Sequence, residues 1–350
     1  MNWQMGGVLL GGILWGVLGD KRGRLSVLFA SIALYSVANV ANGFVHDVTM
    51  YAALRFVAGV GLAGELGAGI TVVTETIPAR LRSAATAIVA SVGILGAVVG
   101  VFVAESQSWR HAYFVGGGLG VLLLLLRIGA FESGLFAKAK SAGVSRGNFF
   151  ALFSSWSRFK RYACVILVAV PIWYVVGVLI TFSPELGKAM GMQEAPNAGR
   201  AILFTYAALV AGDMSSGLLS HALKSRKLVL AIYLAITAVG IVVYFVSAPL
   251  SVDGFYAVCI LLGVGTGYWA VFVTTAAEQF GTNLRATVTT TSPNFVRGMV
   301  VPITIAFRAL KPHTGVPQAA IIVGVVVFVV AIAAWALLEE SFGKDLDYLE

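Results

Sequence analysis

GVLGDKRGR, residues 16–24, is a short basic loop carrying one acid and set between two long apolar runs. Charge packed that tightly between two membrane-length segments marks a loop held on the cytoplasmic side of a bilayer. Working outward, runs of about 20 apolar residues, enough to cross roughly 30 Å of hydrocarbon as a helix, recur along the whole chain. They lie near 3–19, 25–45, 50–73, 83–105, 111–130, 160–182, 200–222, 227–248, 254–276, 287–309 and 316–338. Composition agrees: 59% of the 350 residues are hydrophobic, 11% are charged and the mean hydropathy is +0.90, far from a soluble domain. The sequence lacks the alternation of an outer-membrane barrel, so its backbone groups must be satisfied within helices. The expected fold is an all-α polytopic membrane protein with eleven helices.

A net charge of +8 would suit a nucleic-acid binder, but the placement of the basic residues argues for membrane insertion. With residues 16–24 cytoplasmic, that side collects Lys21, Arg22, Arg24, Arg80, Arg82, Arg127, Lys138, Lys140, Arg146, Arg158, Lys160, Arg161, Lys224, Arg226, Lys227, Arg285 and Lys344. The other side holds Arg110, Lys188, Arg200, Arg308 and Lys311. This asymmetry follows the positive-inside rule, puts the C-terminus in the cytoplasm, and gives nucleic acid no footprint. A prokaryotic inner membrane is the expected location. Cys164 and Cys259 fall inside spans and read as small buried apolar residues, without a disulfide framework or metal site. His46, His111, His221 and His313 sit at span ends or in loops, away from a mid-membrane proton relay. H-E-x-x-H and G-x-x-x-x-G-K motifs are missing from the sequence, and no soluble segment is long enough for a domain. The chain therefore reads as a non-enzyme that needs no cofactor.

An internal repeat organises the spans. Glu75 and Arg82 frame TETIPARLRSAAT, and Glu278 and Arg285 frame AEQFGTNLRATVT, 203 residues further on. Gly59-Val60-Gly61 likewise matches Gly263-Val264-Gly265, and Gly16-Val17-Leu18 matches Gly217-Leu218-Leu219. The expected units are an N-terminal bundle over 1–130, a cytoplasmic linker over 131–159 and a C-terminal bundle over 160–350. Shifting the span at 160–182 back by 203 residues places its partner before Met1, so the chain is expected to lack the first helix of a twelve-helix plan.

Two parallel-repeat halves joined by a basic loop are one plan of secondary transporters. GVLGDKRGR resembles the signature of the major facilitator superfamily, roughly G-x-L-a-D-r-x-G-r-r, which lies between that family's second and third helices. The resemblance continues with Arg55-x-x-x-Gly59-x-Gly61, with Glu75-x-x-Pro78-x-x-x-Arg82 and with Trp109-Arg110, and it covers nearly the whole chain. It implies a fold of two six-helix bundles with pseudo-two-fold symmetry, working by alternating access. It also implies a cytoplasmic gate of Gly16, Asp20, Arg24, Glu75 and Arg82 with Glu278 and Arg285, whose ion pairs break when the carrier opens inward. In the second half Ser220 and His221 stand where Gly19 and Asp20 do in the first, so the first copy is the expected working one.

Ionisable residues within spans are costly and mark cavities or pairs. Four are present: Arg55, Glu65, Asp213 and Arg297. Arg55 matches an arginine linked by the resemblance to proton coupling. Glu65 lies ten residues later, about 280° around the helix, and can take up a proton if desolvated. Arg297 follows Asn294 on the same helical face, between Pro293 and Pro302, which loosen the backbone around it. Its guanidinium suits a carboxylate, and a structural pair with Asp213 is the competing reading. Trp173, Tyr174, Tyr268 and Trp269 lie away from interfacial depth, where they line a cavity or pack.

The expected function is uptake of a small polar or anionic organic metabolite, coupled to protons, by a monomer in the lipid bilayer. Two observations favour import: SVGILGAVVG at 91–100 lacks the proline of the family's antiporter motif, and GELG at 64–67 resembles metabolite and sugar symporters. Export or antiport, an uncoupled facilitator, and a non-transporting receptor remain as alternatives.

Overall fold

The computed structural model describes residues 2–22, 24–76, 79–106, 108–126 and 149–343, apart from the side chains at 19–25, 66–88, 90, 91, 94, 282, 283, 285 and 286. All regular structure among the described residues is helical. In chain order the helices are α1 (Asn2–Arg22), α2 (Arg24–Gly43), α3 (Val48–Thr76), α4 (Ala79–Ser106) and α5 (Trp109–Leu126). A short 3-10 helix (Phe149–Phe153) precedes α6 (Trp156–Val168), α7 (Val170–Tyr174), a π-helical segment (Val175–Ile180) and α8 (Ser183–Ala189). Then follow α9 (Ala198–Leu223), α10 (Arg226–Val246), α11 (Val252–Thr266), α12 (Trp269–Glu278), α13 (Thr282–Gly298), α14 (Val300–Thr314) and α15 (Val316–Leu337).

Helix occupies most of the described part of each of the eleven expected apolar runs, residues 127–130 lying outside it. Among the described residues, seven stretches are long and apolar enough to cross a membrane: most of α2, then α5, α6 through the π-helical segment, α9, α10, α11 with α12, and α15. α13 owes its lower apolarity to the polar run TVTTTSPN at 287–294, most of which it brings inward. Valines on one side of α15, such as Val325 and Val329, are more than half exposed, as hydrocarbon would have them.

Local chemistry sets the ends. Asn197, Ser225 and Ser251 cap α9, α10 and α11, accepting from the N–H groups of Arg200, Leu228 and Gly254 at 3.1, 3.0 and 3.2 Å. Three membrane-length stretches break in their interiors, at Ala169 before Pro171, at Gly267 and Tyr268, and at Met299 before Pro302. Proline explains the first and third, since it removes a donor and its ring crowds the preceding turn. Pro293, by contrast, sits inside a continuous α13.

The repeat in the sequence is a repeat of packing. α3 lies against α1 and α2, and α11 against α9 and α10. Gly59 abuts the Gln4 backbone of α1, and a Cβ on Gly61 would lie 2.6 Å from the Tyr35 nitrogen of α2. At the matching positions Gly263 abuts the Thr205 backbone of α9, and a Cβ on Gly265 would lie 2.8 Å from the Thr237 nitrogen of α10. Small residues let each pair of helix backbones close to contact distance. The two groups of helices meet where α1 crosses α13 and α14, where α3 reaches α13, and where α4 lies along α9.

Candidate functional site

Four partly accessible side chains converge near the middle of the membrane-length helices: Glu65 of α3, Tyr206 of α9, Trp269 of α12 and Arg297 of α13. Arg297 sits among buried neighbours, with Asn294, Val296 and Val300 at 1% exposure or less, yet part of its own surface stays open. Its guanidinium carbon lies 5.4 Å from the Trp269 ring centre, within cation–π range. Glu65 and Tyr206 act on it electrostatically. Glu65 comes from the first group of helices and Arg297 from the second, so opposite charges act on each other across their boundary. An accessible guanidinium beside an aromatic face at this depth can hold a planar carboxylate by ring stacking and a forked hydrogen bond.

Asp213 is 2% exposed, and its partner is one the sequence did not offer. Its Oδ1 accepts a 2.7 Å hydrogen bond from the Ala270 N–H, with the Trp269 N–H contributing. The carboxylate thus caps the first turn of α12, where the helix restarts after the break at Gly267.

Asn294 joins the two groups directly. Its Nδ2 donates to the Ala63 carbonyl of α3 and to Thr290, both at 3.0 Å, while its buried Oδ1 has no hydrogen-bond partner among the described residues. Gly12 makes the approach feasible, since a Cβ there would lie 2.8 Å from the Asn294 Cβ.

The other expected residues are dispersed. Arg55 donates to Gln4 of α1 and lies 5.5 Å from the Tyr113 ring centre, within the first group of helices. Tyr174 and Tyr268 are wholly buried, and their hydroxyls donate to the carbonyls of Ala320 and Val168 at 2.7 and 3.1 Å. Trp173 keeps a buried Nε1 without a hydrogen-bond partner among the described residues.

The stretch 16–24 expected as a loop is largely helical, since α1 runs on to Arg22 and α2 starts at Arg24, and near that end Gly16 of α1 faces Thr290 and Thr291 of α13. The side chains of Asp20, Arg24, Glu75, Arg82 and Arg285 lie outside the described residues. Glu278 is held by Arg226, Nε to Oε2 at 3.2 Å and Nη2 to Oε1 at 3.1 Å, and it also accepts from the Ser341 hydroxyl at 2.8 Å. The segment after α15 folds over this pair. Lys227 Nζ donates to the carbonyls of Ala336 and Leu338 at 3.1 and 2.6 Å, and Gln279 donates to the Glu339 carbonyl at 2.7 Å.

Glu340 accepts from the Ser225 hydroxyl and from the N–H groups of Arg226, Lys227 and Phe342. Burial alone would push its carboxyl up, but these donors outweigh burial and hold it down at about 2, below its ordinary 4.5. A depressed folded value means that its stabilisation is complete above the ordinary value and is lost as pH falls toward the folded one. Thermal unfolding between about pH 6 and pH 3 is expected to show a stability loss in the wild type that is reduced in Glu340→Gln.

The sequence profile of the Major Facilitator Superfamily matches residues 2–304. A metabolite transport protein of Haemophilus influenzae is 28% identical over 99% of this chain and 88% of its own length. A niacin transporter of Acinetobacter baylyi is 26% identical over 97% of this chain and 84% of its own. The crystal structure of a D-xylose-proton symporter superposes with a TM-score of 0.72 at 17% identity, covering 99% of this chain and 88% of that one, a likeness of fold. Helices of membrane length, a repeat visible in both sequence and packing, and matches to transporters rather than enzymes place the protein: it is a multi-pass membrane protein, and the chain belongs to the Major Facilitator Superfamily.

Proposed function

We propose that this carrier imports a small organic monocarboxylate together with a proton by alternating access. The supporting observation is Arg297, a partly accessible arginine at membrane depth, stacked on Trp269 and acted on by Glu65 across the boundary between the two groups of helices. A buried charge is retained at such depth when function requires it. In the empty carrier Glu65 is the internal counter-charge, and a substrate carboxylate takes over that role on binding. Niacin, named for the Acinetobacter baylyi relative, is a carboxylate on a flat ring, which suits the Arg297 and Trp269 pair. Bundles over 1–130 and 160–350, joined by the 131–159 linker, are the moving units. The protein acts as a monomer in a prokaryotic inner membrane, with its C-terminus in the cytoplasm. Asp20, Arg24, Glu75, Arg82 and Arg285, with Glu278, form its cytoplasmic gate.

Uptake of radiolabelled nicotinate into proteoliposomes, with acid outside and protein-free vesicles as the leak control, tests this reading. The expected result is accumulation above equilibrium that a protonophore abolishes. Equilibration without accumulation would replace symport by facilitated diffusion, and binding without flux would overturn transport of this class.

A further inference from the structure

Asp213 is the one charged residue in the middle of a span whose described contact is a helix end rather than an opposite charge. Among the described residues it forms no ion pair, and its carboxylate accepts from the first N–H groups of α12. That contact sits on a hinge. Gly212 and Gly267 pack backbone to backbone, and a Cβ on Gly267 would lie 2.6 Å from the Asp213 nitrogen. α11 ends at Thr266 and α12 begins at Trp269, so the first turn of α12 has no preceding helical carbonyls to bond. That turn carries Trp269, whose ring lies over Arg297. One helical turn therefore connects a buried carboxylate to the arginine assigned to the substrate.

We propose that Asp213 is the proton-binding residue of the carrier and that its protonation releases the first turn of α12, shifting Trp269 against Arg297. This rests on the reading of Arg297 as the substrate's anchor. The deprotonated carboxylate holds the turn through a charge-assisted hydrogen bond and its attraction to the helix N-terminus. Adding a proton to the carboxylate removes the charge and leaves a weaker, neutral acceptor, and the Gly267 hinge absorbs the movement. Linkage requires the reverse effect as well: an anion that binds Arg297 and moves Trp269 raises the proton affinity of Asp213. A proton on Asp213 and a monocarboxylate on Arg297 then cross together without net charge.

The groups around Asp213 leave it as the titrating site. α10 turns Tyr233 toward it, with the Tyr233 hydroxyl 2.7 Å from that of Ser215. α11 contributes the backbone of Val264 against Gly212, and Ser216 on α9 itself donates to the Asp213 carbonyl at 2.9 Å. Cys259 of α11 is engaged with Thr205. Arg297 of α13 lies beyond the Trp269 ring, and on α4 Glu105 is taken up with Arg200 at 3.7 Å.

The test uses the full chain and nicotinate. Asp213→Asn keeps the shape of the side chain and, like the protonated carboxyl, leaves a neutral acceptor for the Ala270 N–H, and thermal unfolding verifies that the variant folds. In weakly buffered solution with a pH indicator, the wild type is expected to take up about one proton per bound nicotinate, and Asp213→Asn none. In proteoliposomes the wild type accumulates nicotinate about tenfold per unit of imposed pH gradient, whereas Asp213→Asn only equilibrates it while still exchanging labelled for unlabelled nicotinate. Asp213→Glu restores part of the accumulation. Proton uptake or gradient-driven accumulation in Asp213→Asn at the wild-type level would overturn the proposal. If Arg297→Gln left nicotinate binding intact, the substrate reading would fail on its own, whatever Asp213→Asn does.

Discussion

Arg297→Gln is expected to weaken nicotinate binding by at least about a hundredfold, corresponding to roughly 3 kcal/mol of lost charge-assisted hydrogen bonding. The size follows from position. In water a guanidinium and a carboxylate gain little from each other, but Arg297 is only partly accessible and is flanked by Asn294, Val296 and Val300 at 1% exposure or less, so less solvent screens the pair. Glutamine keeps two donors and most of the stem, so the loss isolates the charge and the fork. Arg297→Lys is expected to recover only part of it, because an ammonium presents no planar fork to a carboxylate and stacks less well on Trp269. Equilibrium dialysis with purified protein in nanodiscs measures both variants. Unchanged affinity in Arg297→Gln would remove Arg297 from the substrate site.

A second large effect is expected where Arg226 meets Glu278. Their side chains are 18% and 13% exposed, and the bond is two-pronged. Arg226 also donates to Ser220 at 2.8 Å and lies 5.0 Å from the Phe342 ring centre. Truncating either partner to alanine strands the other charge in a mostly dry site, at a cost of about 3 kcal/mol or more. Replacing both, Arg226→Met with Glu278→Leu, removes the stranded charge and is expected to recover most of that loss. Unfolding of the single and double variants in nanodiscs gives the coupling directly. A double variant as unstable as the sum of the singles would mean that the pair contributes through its separate neighbours rather than through itself.

Much of the architecture was legible in the sequence because lipid allows few solutions. Eleven apolar runs became helices since a buried backbone has to bond internally, and the matched glycines at 59, 61, 263 and 265 were readable because close packing has few other residues to use. The sites were only half legible. Arg297, Asp213 and Glu65 stood out by charge alone, but the partner of Asp213 is a pair of backbone N–H groups, and a backbone leaves no mark in a sequence. The break at Gly267 was hidden for the same reason: GVGTGYW reads alike as a packed helix or a broken one until Gly212, fifty-five residues earlier, is seen against it. Arg226 was counted as one more topogenic charge, and only the fold brings it to Glu278, fifty-two residues away. Tyr206 carried no signal beyond being an aromatic within a span.

The surface where α1 crosses α13 has a mechanical consequence. Gly12 and Gly16 on one side meet Asn294, Thr290 and Thr291 on the other, and the amide of Asn294 grips a backbone carbonyl of α3. Deep knobs locked in holes would resist sliding, because each step would lift many atoms out of contact at once. A face of bare glycine backbone against short hydroxyls is nearly smooth. Carbonyls on one face of a helix recur about once per turn, so the amide that lets go of one finds another roughly 5 Å further along the axis. Such a surface works as a lubricated bearing, firm in the perpendicular direction and compliant along its length.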